Sequence, residues 1–476
     1  MTKMPITFDP VTTEDYTTLN VNQNIFETLA MIENNETVPL LAVNWFALSD
    51  SIFVIQIRDD VYFSNGVLMT VEDVVASLHR AINLSVQAMN PDLTINSITI
   101  SNENTIHIHG HRIEHIPTLM LNTYIYNADH LSKFDDEYLK NNPLGTGSYF
   151  VYLNTPEHII LKKNKFHRHS DINRRSPNVV ELLYIPCLEE HYKLLLNNEV
   201  DFLLQLPLSA YADVFINNTF RYTELPSNFI FYMMLDANRT SIPNYDLPVN
   251  PLHYPKVRQA IAHSLDINRY ITNQLLGRAN SLVIPAMRNL IGYPGLIEFY
   301  RFDPEYSLHL LSEAGFKEGF TLNLRTHQGE FTESLSEFVI ESLAQINIEV
   351  IVELFESDQF LPSFEISTPP SLITYLSITQ SSDNVLASLN TLFTVNSSAN
   401  LMQNNNSRIT DLIYTIFAMN EYDIQIPIMY RALINEIYNE ILIIPFFQPF
   451  NLFIYRKRIS LQNADDFRYT NIKVGR

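Results

Sequence analysis

Glycine is scarce enough in this chain to restrict both its turns and its chemistry: 11 glycines serve 476 residues, against a usual share of ~7%. Glycine reaches φ > 0 at no steric cost, so each of these few is expected to mark a turn that other residues make poorly. Phosphate-cradling loops need several glycines close together. Neither GxGxxG nor GxxxxGKS/T occurs, which removes the common nucleotide-binding architectures.

A chain of 476 residues exceeds the size at which a single core splits, so two or three domains are expected. With 46% hydrophobic residues, 29 Phe and 25 Tyr, it has ample material for sizeable cores. The formal net charge is -21 and the pI about 5.0. Such a surface repels phosphate backbones, so nucleic acid is not an expected partner of this chain. The single cysteine, Cys187, excludes an internal disulfide framework and a Cys-based zinc cluster. Within ELLYIPCLEE it reads as a small buried hydrophobe. No apolar run approaches the ~18–20 residues that span a membrane. MTKMPITFDP lacks the apolar core of a signal peptide, so the expectation is a trimmed export signal or a protein that stays in the cytoplasm.

Strand-like and helix-like patterns alternate along the chain, which predicts mixed α/β layers. In SIFVIQIRDDVYF, Phe53, Ile55 and Ile57 alternate with Val54, Gln56 and Arg58, predicting a strand with one buried face. Asn65-Gly66 then predicts a tight turn. Thr70 with Asp73 predicts a capping box opening a helix whose stripe is Val71, Val74, Val75 and Leu78. Around 303, Asp303 can cap, Pro304 suits the first helical position, Leu308, Leu311 and Ala314 make a face, and Gly315 supplies the stop. YPKVRQAIAHSLDINRYI predicts a helix from Pro255 with Val257, Ala260, Ile261 and Leu265 on one side.

The order of these signals resembles the family 5 solute-binding proteins, the oligopeptide, dipeptide and nickel receptors of bacterial ABC importers. Residues 24–81 resemble that family's N-terminal signature, with Trp45, Arg58, Phe63, Gly66, Thr70, Asp73, Val74 and Arg80 in step. NPLGTGSYF, LKKNKFHRH, LLLNNEVDFL, YPKVRQAIAHSLDINRYI, FDPEYSLHLLSEAGFKEGFTLNL and IYNEILIIPFFQPFNLFIYRKRI match further family elements in order. The resemblance runs from about Asp9 to Ile459. Gly66, Gly145, Gly147, Gly277, Gly315 and Gly319 all sit at family turn positions.

That resemblance implies an α/β, two-lobed periplasmic-binding-protein-like fold of the class II type, with an inserted subdomain in the first lobe and a hinge of two crossing strands. Residues 1–45, 151–235 and 436–476 would form the core of lobe 1, 46–150 its inserted subdomain, and 236–435 lobe 2. Ligand held between the lobes would favour a closed state. The implied protein is not an enzyme and needs no cofactor or catalytic residue. Its partners would be a peptide or other small ligand and an ABC permease. It is expected to be monomeric and extracytoplasmic, periplasmic or lipid-anchored at the cell surface.

Peptide receptors of this family pair the ligand's backbone with protein strands and anchor its amino group on a second-lobe carboxylate. The matching stretch here is TYLSITQSSDNVLASL, which puts Tyr375 at a family tryptophan and Ile378 at the anchoring acid. No Asp or Glu occurs from Ile366 to Ser382. Isoleucine cannot pair an ammonium, so free-amine peptides are poor candidates unless Asp383 or Glu365 substitutes. Glu27 matches a family position near the ligand backbone. Asn24, Glu27, Tyr232, Tyr375, Ile378 and Phe447 are therefore the candidate ligand-binding residues, with ordinary core packing the competing reading for each aromatic.

Other motifs carry less. In TIHIHGHRIEHIP, His107, His109 and His111 would share one face of a strand and could bind Ni²⁺, Cu²⁺ or Zn²⁺, but the resemblance makes this a rim strand of the inserted subdomain, and no metal site is expected. Arg168-His169 and Arg174-Arg175 read as a solvated loop. No GxSxG elbow or HExxH helix supports hydrolysis. A second function stays open: the ligand-sensing domain of a cytoplasmic transcription regulator, which would require a longer native chain carrying a helix-turn-helix.

Overall fold

The computed structural model describes all residues except 14, 34–35, 85–92, 171–173, 218, 241–248, 291, 295–299, 361, 365–372, 380–384, 396, 398, 403–404, 420–422, 463–467 and 476. By internal contacts the chain forms two units. Unit 1 holds Met1–Leu206, Thr219–Thr223 and Phe453–Arg476; unit 2 holds Pro207–Asn218 and Glu224–Leu452. The chain passes between the units four times, and residues 207–218 group with unit 2. There the Leu208 N–H donates to Glu330 Oε1 (2.5 Å), and Leu208 packs on the unit 2 core. The last two passages fall inside strands, Arg221–Pro226 and Ile443–Tyr455. They lie at 223/224 and 452/453; the strand Phe229–Leu235 pairs with residues 443–447 within unit 2.

In unit 1, β1 (Ala42–Ser49), β2 (Ile52–Ile57), β3 (Thr94–Asn102) and β4 (Thr105–His111) form an antiparallel sheet in the order β1-β2-β4-β3. Phe53, Ile55 and Ile57 turn inward with Ile106 and Ile108. Val54, expected on the open face, is buried too, with Phe46 and His107 as its cross-strand neighbours. The turn after β2 is built as its sequence predicts: the Gly66 N–H donates to the Phe63 carbonyl (2.9 Å), the Val67 N–H to Asn65 Oδ1 (3.0 Å), and Gly66 takes φ +87.

α1 (Val71–Leu84) opens where Asp73 Oδ2 accepts from the Thr70 N–H (2.8 Å), the acid's half of a capping box; the Thr70 hydroxyl turns to the same oxygen (3.3 Å). Asp73 Oδ1 also accepts from the Ala128 N–H (2.7 Å), so one carboxylate serves the start of this helix and of the helix Ala128–Lys133. Burial pushes the Asp73 carboxyl up against these lowering hydrogen bonds. Val71, Val74 and Leu78 are buried and Val75 packs against them partly exposed. β5 (Tyr149–Asn154), β6 (His158–Lys163) and β7 (Val179–Leu183) form a second antiparallel sheet.

In unit 2, β8 (Phe229–Leu235), β9 (Phe320–His327), β10 (Ile348–Phe355), β11 (Ile373–Thr379) and β12 (Ile443–Tyr455) are ordered β12-β8-β11-β9-β10. β8 is antiparallel to both neighbours, while β9 runs parallel to β10 and β11. The sheet separates two cores: Phe231, Met233 and Leu235 enter one, Ile230, Tyr232 and Met234 the other. The helix Pro255–Ser264 buries Val257, Ala260 and Ile261 as predicted. In the helix Pro304–Glu313, Asp303 Oδ1 caps the Tyr306 N–H (2.9 Å). Its buried face is Ser307, Leu310 and Leu311, with Ala314 half-buried. Leu308 is 37% exposed, which corrects the predicted stripe by one residue.

Four of the six family-turn glycines, Gly66, Gly277, Gly315 and Gly319, have positive φ; Gly145 and Gly147 instead lie against the carbonyls of Ile25 and Asn24. Cys187 is exposed, not buried. Pro186 breaks the apolar run, and Cys187 stands at the N-cap position of the helix Leu188–Leu196 without capping it, its thiol 3.2 Å from Glu189 Oε2. Among the described residues, no helix is long and apolar enough to cross a membrane.

Replacing Asp73 with Ala removes acceptors for two backbone N–H groups at once. We expect a loss of about 1–3 kcal/mol in unit 1 stability, read as a lowered urea midpoint with an unchanged slope.

Candidate functional site

The candidate residues divide between the units. Asn24 and Glu27 lie in unit 1; Tyr232, Tyr375, Ile378 and Phe447 lie in unit 2.

Asn24 to Glu27 form a non-helical stretch following the helix Tyr16–Asn22. Neighbouring backbone binds it from several sides: the Gly147 N–H reaches the Ile25 carbonyl (2.8 Å), Tyr149 N–H the Asn24 carbonyl (2.9 Å) and Ile125 N–H the Glu27 carbonyl (3.0 Å). Asn24 is 2% exposed. Its amide donates to the Asn20 carbonyl (2.9 Å) and accepts from the Tyr469 N–H (2.8 Å). Both ends of that side chain are therefore occupied in holding residues 20 and 469 together.

Glu27 is 4% exposed and meets a cation that sequence reasoning left in solvent. Arg168 donates Nη1–H to Glu27 Oε2 (2.8 Å), with Nη2 2.7 Å from Oε1. The arrangement is the two-point fork that suits a guanidinium and a carboxylate. His167 Nε2 lies 3.5 Å from Oε1. Burial alone would raise the Glu27 carboxyl; the His167 hydrogen bond and the Arg168 charge overcome it and hold the group at about 2. The Arg168 side chain is 7% exposed, which corrects the solvated-loop reading for that residue, while Arg174 and Arg175 are exposed as expected. The one general signal is that a buried acid such as Glu27 requires a counter-charge; nothing in the sequence says that Arg168 supplies it.

Tyr232 is 1% exposed within the second unit 2 core, and burial pushes its phenol well up. Phe447 is fully buried in the other core, its ring 5.1 Å from Phe231 and 5.7 Å from Tyr270. Tyr375 and Ile378 are placed by backbone alone: on β11 they pair with Met233 and Ile230 of β8. Asp383 and Glu365, the two acids named as substitutes for the amine anchor, lie outside the described residues. Among the described residues, no three His, Cys, Asp or Glu side chains gather closely enough to hold a metal ion.

Comparison with known proteins places this geometry in context. The model of the bacterial extracellular solute-binding proteins, family 5, matches residues 36–400. The glutathione-binding protein GsiB of Pectobacterium atrosepticum is 25% identical over 222 residues, covering 46% of this chain and 40% of that protein. Two solved structures share the fold over nearly the whole length. The periplasmic binding protein DppA from Helicobacter pylori, in complex with peptide STSA, superposes with a TM-score of 0.74 at 19% identity, covering 99% of this chain and 96% of that one. NikA from Brucella suis, in complex with Fe(III)-EDTA, gives 0.83 at 14% identity, covering 100% and 98%. The two-lobed class II fold expected from the sequence is thus the fold of the solved structures that this chain resembles.

Glu27→Ala would leave Arg168 buried without its counter-charge, and we expect a loss of about 3–5 kcal/mol in chemical denaturation, against about 1–3 kcal/mol for Asn24→Ala. The pH dependence has a definite sign. The folded value of about 2 lies below the ordinary 4.5, so Glu27 contributes stability above pH 4.5 that is lost as pH falls toward 2. In Glu27→Gln that part of the acid-induced loss should disappear; an unchanged acid-denaturation curve would contradict the pair's assignment.

Proposed function

Because the chain belongs to the family 5 bacterial extracellular solute-binding proteins, we propose that it captures a small peptide or peptide-like ligand for an ABC importer and releases it chemically unchanged. The observation carrying this reading is the family match over residues 36–400. Similar proteins named for glutathione and structures holding a peptide support the ligand class. The remaining parts of the proposal are a monomeric, extracytoplasmic protein, periplasmic or anchored at the cell surface, and a permease that accepts its cargo.

The ligand class can be narrowed. Ile378 occupies the position where the family resemblance expects an ammonium-anchoring acid, and it lies on β11 opposite another isoleucine, Ile230. A buried ammonium without a counter-charge there would cost several kcal/mol. We therefore assign this chain a ligand lacking a free amino group at that end, such as an N-blocked or cyclic peptide, with strand backbone supplying affinity. Asn24 and Glu27 then act by fixing backbone within unit 1, Tyr232 and Phe447 by packing the cores of unit 2, and Tyr375 is the aromatic candidate for direct contact.

Thermal shift with paired tripeptides, free and N-acetylated, tests this. A ligand at 100 times its Kd stabilises by about 2.7 kcal/mol, so the acetylated peptide should raise the Tm by several degrees while the free-amine form barely moves it. The reverse ranking would remove the blocked-amine assignment but keep peptide capture. No shift with either form, together with no peptide-like mass co-purifying in native mass spectrometry, would remove peptide capture itself.

A further inference from the structure

We propose that His107 and His109 form a two-imidazole site for a divalent transition-metal ion, copper above all, on the outer face of the four-stranded unit 1 sheet. The proposal stands apart from the ligand reading.

Strand alternation sets the geometry. Ile106 and Ile108 of β4 are fully buried, so His107 and His109 emerge together on the opposite face. Both are half-exposed, and His111 beyond them is exposed. The two rings lie with centroids 6.4 Å apart and planes at 57°. Imidazoles sharing one ion at ~2 Å per bond have ring centres roughly 4.5–6 Å apart, depending on the angle at the metal. The last step is a small rotation about the broad terminal torsion of histidine.

The surroundings suit the pair. Val54 and Ile52 stand directly across from His107 and His109 on β2, giving the rings an apolar flank, and Val54 is itself buried beside them. Thr99 Oγ1 on β3 lies 3.2 Å from His109 Nε2. With the hydroxyl accepting from Nε2–H, the lone pair is left at Nδ1, the kind of outer-shell support that metal-binding histidines use. No carboxylate or thiolate joins them in a three-residue cluster among the described residues. An ion held here therefore keeps water, or a small chelating molecule, on its other positions. Ligands that are purely imidazole suit copper, nickel and zinc, and copper heads the stability order.

The test titrates the full chain with Cu²⁺ and follows binding by calorimetry and electron paramagnetic resonance. We expect one ion whose spectrum carries coupling to two imidazole nitrogens. His107→Asn and His109→Asn should each weaken binding at least about tenfold, equal to 1.4 kcal/mol, and reduce the signature to a single nitrogen. His111→Asn should leave both affinity and spectrum essentially as they are. These side chains point off the sheet and leave its backbone ladder intact, so the variants test binding and not folding. Undiminished binding in the double variant His107→Asn/His109→Asn overturns the site. So does a loss on His111→Asn equal to that on His109→Asn, which would replace the pair by another ligand set.

Discussion

A strand with no face to water organises unit 2. Along Phe229–Leu235, alternate side chains enter two separate cores, and the strand's backbone is paired on both edges, with residues 373–379 on one side and 443–447 on the other. Each large apolar side chain buried there contributes about 1.5–3 kcal/mol before the entropy of ordering is counted. Helices on either side exist to cover it, which is why their apolar stripes are so regular. The same constraint explains why Tyr232 and Phe447 are packing residues first: Tyr232 sits on the doubly covered strand itself, and Phe447 is fully buried beside Phe231.

Unit 1 is organised differently, around a short irregular stretch and not a strand. Asn24 to Glu27 lack regular secondary structure, so their backbone groups must find partners elsewhere. They do so in residues 125, 147 and 149, and their side chains recruit residues 168 and 469. Glycine at 147 is required by this arrangement, because a Cβ there would sit 2.5 Å from the Asn24 carbonyl oxygen. A buried charge pair is weak evidence for high stability. It is better evidence for a unique conformation, since Glu27 can satisfy Arg168 in few geometries.

Much of the fold was legible because local rules agreed with one another. Asp73 reaches back to the Thr70 N–H as the predicted capping box requires of its acid, Asp303 caps its helix, and the turn at Asn65-Gly66 forms as its residues require. Cys187 and Leu308 were misread because apolar composition was counted without the break at Pro186 or the true phase of the helix. The candidate site was less legible. Family position marked Glu27, yet nothing local in LKKNKFHRH announces that Arg168 turns inward; its partner is 141 residues away. Long-range pairing of this kind leaves no periodic trace in a sequence. Asn24 was similarly marked by position but not by role, since the backbone it holds at Tyr469 lies 445 residues distant.

That last connection has a consequence for biosynthesis. Unit 1 draws on residues 453–476, whereas unit 2 is finished at Leu452. On the ribosome every residue of unit 2 is therefore made before Tyr469 can meet Asn24. The earlier-made portion of unit 1 must wait for this contact until residues 453–476 are translated. N-terminal domains usually mature first during translation; here the amino-terminal unit is the one completed last.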